Sequence, residues 1–180
     1  MTVDPKPQLS VQEYLRLERE AETKNEYLDG QMVAMTGGSL RHSLIIGNLV
    51  RELGNQLQNR PCQVFPSELR VGIPSANVYT YPDVSVACGD PLLEDEYEDT
   101  LLNPMLLIEV LSPTTEAYNR GKKLRWYTKA STPFPSCCSS RRLLLWLSSS
   151  SAKRVATGSL RPLKELRQFS PSPRFRRSCG

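Results

Sequence analysis

Hydrophobic and polar positions along the first 129 residues switch between a helical period and a strand period. Ser10 to Glu13 has the form of a capping box, and Val11, Tyr14 and Leu15 supply an apolar face, so the spacing predicts a helix over residues 10–23. Tyr27-Leu28 and Met32-Val33 flank Asp29-Gly30, a pair suited to a type I′ turn, which predicts a hairpin. Gly37-Gly38-Ser39 breaks the chain. Beyond it Ile45, Ile46, Leu49, Val50, Leu53 and Leu57 recur at helical spacing. Leu69, Val71 and Ile73 then alternate, Pro74 to Asn77 turns, and Val84 and Val86 alternate again, giving two strands with Pro82-Asp83 leading into the second. Met105 to Leu111 is a continuous apolar run broken only by Glu109, the mark of a strand covered on both faces. Residues 115–128 read as a helix with Leu124 and Tyr127 facing inward. Helix, hairpin, helix, strands, helix is the order of a mixed α/β or α+β domain around a central sheet.

Length and hydropathy narrow this picture. A chain of 180 residues is one domain with a real core and too short for two ordinary ones. The mean hydropathy is −0.40 and no apolar run approaches the ~20 residues that span a bilayer. The N-terminal MTVDPKPQLS has neither a basic start nor an apolar segment, so the expected location is cytoplasmic, with no membrane partner. The formal net charge of +4 conceals a division: residues 1–129 hold 13 Lys and Arg against 18 Asp and Glu, residues 130–180 hold 10 against 1. The basic character therefore belongs to the tail, and a whole-chain argument for nucleic-acid binding is weak. Within the first segment, the acidic run Glu94 to Asp99 reads as a solvated loop. No cysteine pair has CxxC spacing, which argues against structural zinc, and a disulfide framework is not expected in a cytosolic chain of this size.

Glu109 is the most informative residue. A carboxylate inside Leu-Leu-Ile-Glu-Val-Leu leaves water at a cost of several kcal/mol unless it is paired with Arg or Lys or bound to metal. Asp83 stands at the start of a neighbouring strand, where side chains converge on a cleft, and two such hard oxygen ligands suit Mg²⁺. His42 is the only histidine and reads as a helix-cap or core residue; with no second histidine, neither a catalytic triad nor a HExxH zinc site can be built. Arg41, Arg51, Arg70 and Arg125 read as solvated, with phosphate contact as the alternative.

Pro82-Asp83, a strand carrying Glu109 and a following lysine together resemble the PD-(D/E)XK nuclease pattern. More narrowly, Tyr81-Pro82-Asp83-Val84-Ser85-Val86 and the stretch Leu107 to Tyr118, followed by Arg120-Gly121-Lys122-Lys123, are similar to signatures of the bacterial Uma-type (DUF820-like) restriction endonuclease family. Glu26-Tyr27-Leu28-Asp29-Gly30 and His42 fit the same habit, and the resemblance covers about residues 8–129. It implies a restriction-endonuclease-like mixed sheet flanked by helices. It also implies Mg²⁺, with Mn²⁺ as an alternative, held by Asp83 and Glu109 with the Val110 carbonyl as a third ligand. The general pattern expects its lysine two residues after the glutamate, where this chain has Leu111; in the Uma-type family the lysine comes from the next helix, which points to Lys123, with Lys122 as the fallback. Glu26 would be a third acidic group near the metal. The implied activity is hydrolysis of DNA phosphodiesters, and a homodimer is in keeping with double-strand cutting.

After Lys129 the composition changes. Residues 130–180 contain 12 serines, 8 arginines and 5 prolines around one apolar cluster, Leu143 to Leu147, too short to specify a helix or strand. They read as a disordered basic tail. A shifted reading frame is a further explanation: the codons for Ala130 to Arg142, read from the third base of each, can encode Ile, four residues, then Glu-Leu-Leu-Leu-Val-Ser-Gln, close to the strand that the family resemblance leads one to expect. On that reading the nuclease domain, 1–129, has lost its C-terminal strands. Three rivals to a metal-dependent nuclease follow: an inactive remnant, a non-catalytic nucleic-acid binder using the tail, and a hydrolase using Asp83 and Glu109 as acid and base without metal.

Overall fold

Ser10 opens the first helix by accepting the Glu13 amide at 3.1 Å on its side-chain oxygen, and α1 (Val11–Glu20) turns Tyr14, Leu15 and Glu18 inward. Helix α1 is shorter than its pattern predicts, because Ala21 is already extended. This computed structural model describes residues 8–111, 118–129 and 143–147. The predicted hairpin is present as β1 (Asn25–Leu28) and β2 (Gln31–Ala34), with Asp29 and Gly30 both at positive φ, 49° and 88°, as a type I′ turn requires. Helix α2 (Leu40–Leu57), capped by Ser39, buries Ile45, Leu49, Leu53 and Leu57.

The strands are more numerous than alternation alone reveals. After α2 come β3 (Cys62–Pro66), β4 (Arg70–Ile73), a 3₁₀ turn (Pro74–Ala76) ended by left-handed Asn77, β5 (Val78–Thr80) and β6 (Val84–Cys88). Next are β7 (Thr100–Leu101) and β8 (Leu106–Val110); a π-helical turn (Asn119–Lys123) then runs directly into α3 (Leu124–Lys129). The tail cluster Leu143–Leu147, read from the sequence as unspecified, is a strand, β9, lying parallel beside β8 over five residue pairs. One strand beyond residue 129 is therefore present. The rest of the tail, with the disorder and shifted frame expected of it, lies outside the described residues, as do 112–117 at the start of the last predicted helix.

The expected single central sheet is two sheets, ordered β2-β1-β5-β4-β7 and β3-β6-β8-β9. The second sheet has two buried faces. Val84, Val86, Leu106, Ile108 and Val110 face α2, forming one apolar cluster with its four buried residues. Ala87 and Leu107, of the opposite parity, face a second cluster that includes Val71, Ile73 and Val78 of the first sheet and Tyr127 of α3. Helix α1 covers the other side of the first sheet, where Tyr14 packs on Tyr27 and Tyr79. The result is a mixed α+β fold in which the strand carrying Glu109 is buried throughout. Among the described residues no helix is long and apolar enough to cross a membrane.

Three expectations are corrected. The acidic loop is fastened rather than merely solvated: Arg19 binds Asp95 at 2.7 Å and Asp99 at 2.8 Å, and Arg70 binds Asp99 at 2.9 Å. Arg70 is neither solvated nor a phosphate contact, being buried with Thr100 and Tyr81 as further partners. Cys62 and Cys88, directly opposite in the β3–β6 register, form a disulfide despite the absence of a cysteine framework. Closing a loop with a sequence separation of 26 by the chain-entropy model is worth about 3.5 kcal/mol. The Cys62→Ser/Cys88→Ser chain should therefore melt roughly 10 °C below the oxidised protein. Coincident melting curves for the two would remove the disulfide from the account of stability.

Candidate active site

The β6–β8 register pairs Val84 with Ile108 and Ser85 with Leu107. Asp83 is the residue just before β6, and Glu109 follows Ile108 in β8, so the two carboxylates come to the same end of this strand pair. Asp83 is held by two donors: the Val110 N–H reaches Oδ2 at 2.6 Å, and His42 Nε2 lies 2.9 Å from Oδ1. His42 sits in the first turn of α2, where its N–H donates to the Ser39 cap at 3.3 Å. Ser39 is the cap, so the capping role expected of the lone histidine is not its own; its ring faces the Asp83 carboxylate. The hydrogen bond to Asp83 raises the His42 pKa against the opposing effect of burial, and the Asp83 and Glu109 charges add to the rise.

Glu109 is only 3% exposed. Its Oε1 accepts from Lys123 Nζ at 3.0 Å and from the Tyr127 hydroxyl at 2.7 Å. Burial pushes its pKa up to about 7; Lys123 and Tyr127 pull it down, and the Asp83 charge pushes it further up. Lys123 is buried too, which alone would lower its pKa, yet the charges of Glu109 and Glu26 hold it well above the ordinary lysine value. It ends the π-helical turn, so the wide turn delivers the ammonium to the gap between the sheets. Lys122, the fallback, points to solvent.

Glu26 arrives from the other sheet. The β1–β5 register sets it across from Thr80, whose hydroxyl donates to Oε1. Lys123 Nζ lies 2.8 Å from the same oxygen, and the Tyr118 hydroxyl donates to Oε2 at 3.0 Å. The structure therefore brings Glu26, Glu109 and Lys123 together as one buried cluster, with Asp83 and His42 alongside Glu109. Thr80, Tyr118 and the Tyr127 hydroxyl are members that pattern reading missed. Tyr118 ends the stretch that carries the family resemblance, and Tyr127 had a local signal, since Lys123 and Tyr127 are four residues apart and share a helical face.

Among the described residues no three His, Cys, Asp or Glu side chains are gathered as a metal cage. Asp83 and Glu109 still fit a divalent cation by their chemistry. They are two hard carboxylates, one just before β6 and one in β8, and Mg²⁺ commonly takes one or two such groups with water and phosphate oxygens completing its shell. Val110 meets this pair through its N–H; no observation bears on its carbonyl as a ligand.

Residues 11–134 match the model of the Uma2 family, described as "Putative restriction endonuclease". Two Synechocystis proteins are similar: slr1290 is 45% identical over 123 residues, covering 68% of this chain and 64% of its own length. The second, sll1609, is 32% identical over 119 residues, covering 66% and 67%. The chain thus spans about two thirds of the length of these relatives. A solved "putative nuclease belonging to DUF820" from Anabaena variabilis shares the fold at TM-score 0.55 and 25% identity, covering 67% of this chain and 68% of that one. The mixed α+β architecture is that of a restriction-endonuclease-like nuclease. With well over half of its length matched by the family model, this chain belongs to the Uma2 family.

Proposed function

We propose that this protein is a Mg²⁺-dependent endonuclease hydrolysing phosphodiesters in DNA, with Mn²⁺ as a competent substitute. The observation that carries the reading is Asp83, bonded to the N–H of the residue after Glu109, beside a buried cluster in which Lys123 Nζ lies 3.0 Å from Glu109. Family membership and the likeness to the Anabaena protein support it. Asp83 and Glu109 hold the cation. When bound, Mg²⁺ makes water a stronger nucleophile and polarises the scissile phosphate. Lys123, charged and fixed by Glu26, orients the attacking water and offsets the negative charge that develops at phosphorus. Glu26 acts here as the anchor of that lysine, in place of a third group at the metal. Cutting both strands would call for two copies of the chain.

Supercoiled plasmid provides the test. The full chain should nick and linearise it with Mg²⁺, and EDTA should stop the reaction. Cleavage that survives EDTA would replace this reading with metal-free acid–base hydrolysis by Asp83 and Glu109.

A further inference from the structure

We propose that Tyr127 is a positioning residue for the cation site, its hydroxyl fixing the Glu109 carboxylate in the orientation that receives the metal; this rests on the metal-dependent reading above. The ring of Tyr127 lies in an apolar cluster with Val71, Ile73, Val78, Leu101 and Leu107. Phenylalanine would satisfy that packing, and a hydroxyl taken into such surroundings is costly unless it is hydrogen-bonded. The hydroxyl here donates to Glu109 Oε1 at 2.7 Å, the oxygen that also accepts from Lys123. With both donors on Oε1, the carboxylate cannot turn about its last bond without losing two hydrogen bonds.

The kind of donor matters as much as its place. Lys123 divides its charge between Glu109 and Glu26, at 3.0 and 2.8 Å. A second cation in place of Tyr127 would cancel the negative charge that Glu109 must offer to a metal. A phenol fixes the carboxylate while leaving that charge intact.

Calorimetric titration of Mn²⁺ into the full chain without DNA separates this role from simple packing. Tyr127→Phe should bind Mn²⁺ about tenfold more weakly and need about tenfold more Mg²⁺ for half-maximal cleavage, while kcat at saturating metal stays within about threefold. Tyr79→Phe is the matched control, since it removes another buried hydroxyl that donates to a carboxylate, Glu94, away from the site. In a Glu109→Gln background the same Tyr127→Phe change should weaken Mn²⁺ binding no further. Unaltered Mn²⁺ affinity in Tyr127→Phe, an equal loss in Tyr79→Phe, or an equal loss in the Glu109→Gln background would each overturn the proposal. Absence of metal-dependent cleavage by the unsubstituted chain is a separate result, and it would overturn the nuclease reading itself.

Discussion

Asp83→Asn should lower Mg²⁺-dependent plasmid cleavage by a factor on the order of 10³ while the protein stays folded, and Glu109→Gln should do the same. Asparagine keeps the shape of Asp83 and can still accept the Val110 N–H, so the β6–β8 junction retains that hydrogen bond. What it loses is the negative charge facing His42 and the cation. Asp83 is 14% exposed, open enough for a neutral amide to be tolerated. Glutamine at 109 still accepts from Lys123 and Tyr127 and removes a buried charge. Both substitutions therefore separate chemistry from stability: melting temperatures near that of the parent chain, with cleavage lowered and Mn²⁺ binding weakened, though still measurable, together. Cleavage by both variants at the parental rate would sink the assignment of the two carboxylates.

Elements that announce themselves locally were legible before the structure. Asp29-Gly30 sets its own turn, the apolar positions of α2 recur at a helical period, and the unbroken run around Glu109 marks a strand covered on both sides. Strands β3, β5 and β7 were not read: β5 and β7 are three and two residues long, and all three owe their state to partners elsewhere, β7 pairing with β4 some thirty positions earlier. The second sheet follows from the same limitation, since alternation fixes which residues share a face and leaves open which sheet the face meets. The candidate site divides in the same way. Glu109 stood out as a carboxylate inside an apolar strand, and Asp83 as one at the entry to its neighbour. The choice of Lys123 came from family resemblance, and its burial beside exposed Lys122 is consistent with that choice. That Glu26 would clasp the lysine, or that Tyr127 would bring a hydroxyl to Glu109, depends on two sheets and a helix meeting face to face. No periodicity within one segment contains that information. Arg70 was misread for a related reason: its partners Asp99 and Thr100 lie in a loop and a strand far along the chain.

Lys123→Met should be the most damaging single change, because it removes one cation from between two buried carboxylates. Glu26 and Glu109 are 4% and 3% exposed, and each lies within 3.0 Å of the ammonium. Removing one member of a buried ionic group typically costs roughly 3–5 kcal/mol, since hydroxyl donors alone replace neither water nor the opposite charge. For a chain of this size that corresponds to a fall in melting temperature on the order of 10 °C, alongside loss of cleavage. The carboxylates would take up protons to escape the penalty, and Glu109, already shifted upward by burial, would do so readily. Lys123→Arg should not rescue activity: the guanidinium keeps the charge, but its planar fork cannot occupy the place of a compact ammonium shared by two oxygens. The informative variant is Lys123→Met combined with Glu26→Gln. Neutralising Glu26 leaves one buried carboxyl that can be neutral by protonation, so thermal stability should return in large part. Glu109 would then carry no cationic neighbour to orient water, and cleavage should stay absent. A melting curve for Lys123→Met that overlays the parental one would contradict the buried-charge account. Cleavage restored in the double variant would show that the ammonium has no part in the chemistry.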